Sequence, residues 1–316
     1  MGGNGSPDDI SVRTIEGKLV IKSRPSELVD VPNKVAVPLD LKGLTRVGAR
    51  PPLTDYLVSL WSYRQFVLYD AKARVQSANR RDRLGSAWLL LDPLLNGLGY
   101  LIIFGLILNS SRGIENFLGY LIIGIFLFQL TTRSVVSTSR IISSNQNVIQ
   151  AFNFPRATLA LAVNIREFIA NIPVVLMMLL LIIAIPPIEE ITWLWVLILP
   201  VIVLQVVFNL GLGMLLAPMV AKANDLVHVI SFVMRFWMFA SCVMFSISRY
   251  EQWPAVLAVV EGNPMYIILT MVRDCLLYAQ APPWQDWAAL FAWSLGSLCI
   301  GMFFFWRGEE TYGRDE

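Results

Sequence analysis

The chain has 316 residues, of which 56% are hydrophobic and 15% are charged, and its formal net charge is +2. This balance lies outside the range of ordinary soluble domains and indicates a polytopic membrane protein. The small net charge gives no sign of a nucleic-acid partner.

Residues 1–54 are rich in Pro, Gly and charge and contain no long apolar run. We therefore expect a cytoplasmic N-terminal tail rather than a signal peptide. Disorder or extended packing is favoured for this tail, and a strand that includes Lys18 to Ile21 is the alternative.

Residues 55–83 show apolar side chains at helical spacing opposite a polar face, which predicts an amphipathic helix lying along the membrane. The helix suits an anchor among lipid headgroups, and a docking surface for a cytoplasmic partner is the alternative. The residues that we assign to this interface are Trp61, Arg74, Arg81 and Arg83.

The segment 84–306 holds the windows that are long enough to cross a bilayer, since one helical span needs roughly 20 apolar residues. These windows are 87–108, 117–139, 159–185, 193–220, 226–245 and 287–306. The prediction is an all-α membrane domain with about six transmembrane helices.

Residues 253–281 contain two apolar runs that are each too short to cross the bilayer. Gly262-Asn263-Pro264 favours a turn between them. We predict two short re-entrant helices before the last span, with Arg273 and Asp274 at a wet boundary. Asn263, Pro264, Arg273 and Asp274 then belong either to an outer gate or to a rigid lid that seals the bundle.

Orientation follows from basic residues, which favour the cytoplasmic side of span ends. Basic residues precede the first predicted span, whereas Glu189 and Glu190 lie between the third and the fourth. Both termini, including the tail 307–316, are then expected in the cytoplasm. The segment that ends at Arg156 is also cytoplasmic, and 253–281 faces the outside.

No pattern in the sequence indicates catalysis. The phosphate-binding motif G-x-x-x-x-G-K-[ST] is missing, and Gly211-Leu212-Gly213 lies in an apolar span without a preceding strand. The three cysteines and the single histidine lack the spacing of metal ligands. We therefore assign no catalytic residue, metal or cofactor to this chain, so any ATP and Mg would bind to a partner.

Three motifs occur in order along the chain. The first leads from a basic helix through Leu84-Gly85 and Trp88 to Asp92-Pro93-Leu94. The second is Asn-Gln-Asn-Val-Ile-Gln-Ala-Phe-Asn-Phe-Pro-Arg at 145–156, and the third leads from Gly262-Asn263-Pro264 to Arg273-Asp274. Together they resemble the ABC-2 permeases that export O-antigen, teichoic acid and related glycans. The long tail is similar to that of actinobacterial permeases of cell-wall galactan.

The resemblance implies a transmembrane subunit of the bacterial plasma membrane that pairs with a second copy of itself and with two copies of a nucleotide-binding ATPase. Each ATPase would hold the coupling helix, residues 145–156. The cargo would be a polysaccharide on a polyprenyl diphosphate carrier. The residues assigned to the ATPase contact are Asn147, Val148, Ile149, Phe152, Phe154 and Arg156.

The fifth predicted span carries the residues assigned to a transport pathway, Phe232, Arg235, Phe236, Trp237 and Phe239. Sugars present apolar faces and hydroxyl groups, and a guanidinium suits a diphosphate. Because an arginine facing lipid is costly, we expect Arg235 in the protein interior. The alternative is that the aromatic residues serve packing or face lipid and that Arg235 pairs with Glu167.

Two other functions compete with export. A membrane-embedded glycosyl or acyl transferase needs a cluster of acid, base or metal-binding residues at one membrane face, which the sequence does not show. An ion-coupled secondary transporter, with Arg166, Glu167 and Arg235 as a proton relay, usually has internal repeats, and none is evident.

Overall fold

A computed structural model describes most of the chain. The described residues are 11–15, 18–22, 51–78, 87–100, 102–103, 114, 116–152, 154–186, 189–250 and 252–312. Arg81, Arg83 and the end of the first predicted span lie outside them.

Residues 1–46 form a compact unit of their own. Strand β1 (Ser11–Ile15) pairs antiparallel with β2 (Lys18–Lys22), with Ser11 opposite Lys22 and Ile15 opposite Lys18. Both segments contain β-branched residues, which favour extended backbone. The structure therefore shows a strand at Lys18 to Ile21, which was the alternative expectation.

The second unit, residues 47–316, contains only helices among its described regular elements. In chain order they are α1 (Leu53–Ser62), α2 (Arg64–Ala78), α3 (Trp88–Tyr100), α4 (Phe117–Ser139), α5 (Ile141–Ser144), α6 (Gln146–Ala151), α7 (Ala157–Ala184), α8 (Ile198–Lys222), α9 (Leu226–Ala240), α10 (Pro254–Glu261), α11 (Pro264–Leu276) and α12 (Trp284–Arg307). Short 3-10 turns occupy Trp193–Leu197 and Ile247–Tyr250.

Four helices in the described part of the chain are long and apolar enough to cross a membrane, namely α4, α7, the stretch Trp193–Lys222 and α12. A fifth crossing results if α10 and α11, bent by 75°, count as one broken span. Helix α3 has 13 described residues and α9 has 15, fewer than the roughly 20 that a crossing needs. The expectation of six spans and of re-entrant helices is therefore supported only in part.

The fifth predicted span, 226–245, is shorter in the structure because its helix ends at Ala240. Cys242 has a φ of 53°, which a right-handed helix does not allow. Arg273 instead donates to the Cys242 and Val243 carbonyl groups that follow Ser241, and Asn263 Nδ2 donates to the Ser241 hydroxyl.

Helices α8 and α12 pack closely because glycines replace side chains at their contact. A Cβ at Gly301 would overlap the carbonyl group of Gly211, and a Cβ at Gly211 would overlap the backbone of Ser297. Gly213 makes a similar close approach to Thr138 of α4. The Gly-x-Gly pattern in this apolar span therefore serves helix packing.

The second unit, which we call the membrane unit, contains two separate clusters of buried apolar residues. The larger one centres on α4 and α11 and includes Leu127, Ile198 and Ile268. The second, which we call the coupling-end cluster, comprises Tyr56, Ile141, Ile142, Ile149, Ala157, Leu159, Ala160, Val163, Leu210, Met214, Ala217, Phe305 and Tyr312. It joins α1, the segment 141–151, the start of α7 and the ends of α8 and α12.

Candidate functional site

Helix α6 lies in the segment 145–156 that the sequence assigns to an ATPase contact, and α5 precedes it. Val148 is 37% exposed and Phe152 is 67% exposed. The Phe152 N–H donates to the Val148 carbonyl at 3.1 Å, so the two residues lie one helical turn apart on one face. We call this pair the Val148–Phe152 face. It is an exposed apolar surface at one end of the molecule.

Ile149, also in α6, is only 4% exposed. It packs in the coupling-end cluster with Ile141 and Ile142. The expectation that Ile149 contacts a partner is therefore corrected, because its side chain is part of the chain's own core. Asn147 is exposed, as expected for a surface residue.

The Phe-Pro-Arg ending of the segment turns back onto the body of the protein. The half-buried Phe154 ring lies 6.5 Å from the Tyr63 ring, centroid to centroid. The backbone N–H of Arg156 donates to Glu309 Oε1 at 2.9 Å. Phe154 and Arg156 thus anchor the end of the segment.

A buried polar junction, which sequence reasoning missed, lies at this anchor. Tyr56 Oη donates to Glu309 Oε2 at 2.8 Å and accepts from the Ala157 N–H at 3.1 Å. Glu309 is 7% exposed although it follows the last helix. Its partners lie in α1 and at the start of α7, and no local pattern links such distant positions. We call Tyr56, Arg156, Ala157, Glu309 and Tyr312 the Glu309 junction.

In the Glu309 junction, the pKa shifts of Glu309 and Tyr56 show which group donates the hydrogen bond between them. Burial raises the pKa of the Glu309 carboxyl above its usual range, although the hydrogen bonds from Arg156 and Tyr56 oppose this rise. Burial and the nearby Glu309 raise the pKa of the Tyr56 phenol. The Tyr56 hydroxyl therefore keeps its proton and acts as a donor.

The predicted interface helix is two helices with a break at Tyr63. Helix α2 does not segregate apolar from polar residues, and Val67 and Ala71 are buried on it while it packs against α7. Trp61 is exposed with the Arg64 guanidinium 5.4 Å from its ring, and Arg74 pairs with Asp70 at 2.9 Å. The amphipathic description thus applies to α1 alone.

The structure separates the residues assigned to a transport pathway into two faces of α9. Phe232, Arg235, Phe236 and Phe239 are exposed, with the rings of Phe232 and Phe236 4.7 Å apart. Trp237 points inward, where its ring lies 5.8 Å from Phe128.

Arg235 does not lie in the interior of the single chain, contrary to expectation. Among the described residues it forms no ion pair, and Glu167 instead accepts a hydrogen bond from its neighbour Arg166 at 2.8 Å. Arg235 is therefore not joined to Arg166 and Glu167, the other two residues of the suggested proton relay.

The turn between α10 and α11 has the predicted position. Asn263 Oδ1 accepts from the Met265 N–H at 3.0 Å and so caps α11, and Pro264 begins that helix. The same oxygen accepts from Trp237 Nε1 at 2.9 Å, and Asn263 Nδ2 donates to Ser241 Oγ at 2.9 Å. The turn is thereby fixed to the end of α9.

Arg273 is 2% exposed, so the expectation that it lies at a wet boundary is wrong. It donates to the carbonyl oxygens of Tyr120 and Cys242, each at 3.2 Å, and of Val243 at 3.3 Å. The guanidinium also lies 3.3 Å from the centre of the Tyr120 ring. The break after α9 leaves carbonyl groups without helical partners, and Arg273 supplies donors for them. Asp274 is half-buried.

Residues 68–277, from α2 through α11, match the family described as ABC-2 type transporter. The chain is 25% identical over 256 residues to the O-antigen export system permease protein RfbA of Myxococcus xanthus, which covers 80% of this chain and 96% of that protein. A Klebsiella pneumoniae protein of the same name is 24% identical over 215 residues, 66% of this chain and 77% of that protein.

Proposed function

The chain belongs to the ABC-2 type transporter family, and we propose that it is the membrane-spanning subunit of an ATP-driven polysaccharide exporter. The observation that carries this proposal is the similarity to an O-antigen export permease along 96% of that protein. The cargo in this proposal is a glycan on a polyprenyl diphosphate carrier, either O-antigen-like or a cell-wall galactan. It moves from the cytoplasm across the plasma membrane.

The proposed assembly contains two copies of this chain and two copies of a separate ATPase, which binds ATP and Mg. The Val148–Phe152 face supports an ATPase contact, because an exposed apolar pair on a short helix suits insertion into a cleft of a partner. We place this end of the molecule in the cytoplasm because basic residues favour that side.

A displacement of α6 would reach the membrane spans through the coupling-end cluster. Ile149 of α6 packs in the same cluster as Ala157 of α7, Met214 of α8 and Phe305 of α12. Packed side chains move together because protein interiors have few voids. Closure of the ATPase on ATP would therefore shift the ends of three long helices.

The first prediction concerns Phe152→Asp, which places a charge in the proposed apolar contact. We expect weaker assembly with the ATPase, or ATP hydrolysis without export, while the spans remain inserted. Copurification and ATPase rate measure the effect, and the chain alone is expected to hydrolyse no ATP. Thr54→Asp is the matched control, because it adds the same charge at an exposed position at the start of α1. Normal assembly, hydrolysis and export in Phe152→Asp would reject this face as the ATPase contact.

The second prediction concerns the exposed face of α9, which we propose as part of the glycan pathway between the two copies. Arg235 has a charge exposed beside the aromatic rings of Phe232 and Phe236, a combination that suits a diphosphate and sugar rings. Arg235→Ala should abolish export while the ATPase complex still forms. Arg133→Ala changes another exposed arginine and should leave export unchanged. If Arg235→Ala exports normally, the carrier diphosphate does not depend on this residue.

A further inference from the structure

We propose that Glu309 is a positioning residue that makes the interface helix α1 and the last helix α12 move together with the coupling segment 145–156. This inference rests on the proposed function of that segment. The Glu309 carboxylate uses both oxygens, Oε1 for the Arg156 N–H and Oε2 for the Tyr56 hydroxyl. One buried side chain thus joins three elements that are far apart in the chain.

The start of α7 explains why a carboxylate is placed here. The first N–H groups of a helix have no partner within the helix, and the helix dipole favours negative charge at that end. Glu309 accepts from the Arg156 N–H and Tyr56 Oη accepts from the Ala157 N–H. The N–H groups of Arg156, which precedes α7, and of Ala157, its first residue, are therefore held by the turn after α12 and by α1.

The position of Glu309 is itself fixed by the turn that follows α12. Tyr312 Oη donates to the Phe305 carbonyl at 2.9 Å, and the two rings lie 5.2 Å apart. Gly308 allows this turn, because a Cβ there would overlap the Tyr312 phenol. The carboxylate therefore moves with the end of α12.

The coupling segment also meets α1 and α12 in the coupling-end cluster, to which α6 contributes Ile149. Of the six residues of α6, all of them described, only Ile149 is buried. Helix α7 follows the segment directly and moves with it through the main chain. Helices α1 and α12 are not joined to the segment by adjacent main chain, so the Glu309 junction adds hydrogen bonds to the apolar contact of the coupling-end cluster.

The test measures glycan exported per ATP hydrolysed by the complete complex with the ATPase. Glu309→Ala should lower this ratio by roughly fivefold or more, the scale of a typical coupling energy. ATPase binding and hydrolysis should persist, because the Val148–Phe152 face is unchanged. Glu190→Ala is the control, since it removes an exposed carboxylate from the loop before α8.

Two conservative variants separate positioning from simple stability. Glu309→Gln keeps an oxygen for the Arg156 N–H and should restore most of the ratio. Tyr56→Phe removes only the link to α1 and should lower the ratio partly. The double variant Tyr56→Phe/Glu309→Ala should lose less than the sum of the two single losses, because both changes remove the same Tyr56–Glu309 hydrogen bond.

The outcomes are distinct. If Glu309→Ala reduces export and hydrolysis in parallel and leaves their ratio unchanged, the role is structural and the inference is overturned. If Glu309→Ala does not assemble, Tyr56→Phe decides, and an unchanged ratio in that variant overturns the inference. When Phe152→Asp disrupts assembly but Glu309→Ala keeps the ratio, only this inference fails. When Phe152→Asp behaves as wild type, the proposed coupling itself fails.

Discussion

At the scale of single residues, Arg273 connects three segments at the end of the molecule opposite to the Glu309 junction. Its guanidinium donates from α11 to the Tyr120 carbonyl of α4 and to two carbonyls in the break after α9. A planar group with several donors reaches such a set of acceptors, whereas the ammonium group of lysine is a compact point charge. Arg273 therefore stabilises the fold and does not line a wet gate.

The third prediction is that Arg273→Met destabilises the protein. Methionine has a similar reach but no donor, so it leaves three carbonyl groups without these hydrogen bonds. Hydrogen bonds to charged groups contribute about 1.5–3 kcal/mol each. We expect a clear fall of the melting temperature in detergent, measured with the purified chain. Arg133→Met, at an exposed arginine of α4, should melt like the wild type. Equal melting of both variants would show that the carbonyl contacts of Arg273 contribute little.

The two arginines also show what a sequence leaves open. Sequence reasoning expected Arg235 inside and Arg273 at a wet boundary, and in the single chain the two are placed the other way. Both lie in apolar helices, so hydropathy does not distinguish them. Arg273 is buried because carbonyl groups near Cys242 accept its hydrogen bonds. These groups come close to Arg273 only when the chain is folded.

At the scale of helices, the contact between α8 and α12 depends on small residues. Gly211 and Gly301 allow the two backbones to touch. Ser294 Oγ donates to the Leu204 carbonyl at 2.9 Å, and Ser297 Oγ donates to the Phe208 carbonyl at 3.3 Å. Close backbone approach and such hydrogen bonds hold helices together where lipid removes the hydrophobic driving force.

The fourth prediction compares two glycines of α12. Gly301→Ala should destabilise the protein by about 1–3 kcal/mol, the usual cost of overpacking, because the new Cβ overlaps Gly211. Gly296→Ala is the matched control, since a Cβ there has no heavy atom within 4 Å. Alanine also favours helix, so this control should melt at or above the wild-type temperature. The same loss in both variants would mean that helix contact at Gly301 is not the cause.

The long helices were largely predictable from hydropathy. Windows 117–139, 159–185, 193–220 and 287–306 agree within a few residues with α4, α7, the stretch Trp193–Lys222 and α12. The turn at residues 262–264 was also predictable, because glycine and proline act locally. The end of α9 was not, since Asn263 bonds the Ala240 carbonyl and Arg273 bonds the Cys242 carbonyl, and both donors are distant in sequence.

At the scale of the whole membrane unit, two polar arrangements lie at opposite ends of the long helices. The Glu309 junction and the Val148–Phe152 face belong to the coupling end, and the contacts of Arg273 and Asn263 belong to the end that carries α11. The exposed Val148 and Phe152 were predictable as apolar residues in a polar segment. Glu309 was not, because its role depends on the approach of positions 56 and 156 in the folded chain.

The fifth prediction tests the central claim with inverted membrane vesicles that contain this chain and its ATPase. A labelled, lipid-linked polysaccharide is placed on the former cytoplasmic face, which is accessible to a glycosidase. We predict that the label becomes protected inside the vesicles only when ATP and Mg are added, and that Phe152→Asp prevents this protection. Protection without ATP, or protection driven by an ion gradient alone, would contradict the assignment of this chain to an ATP-driven exporter.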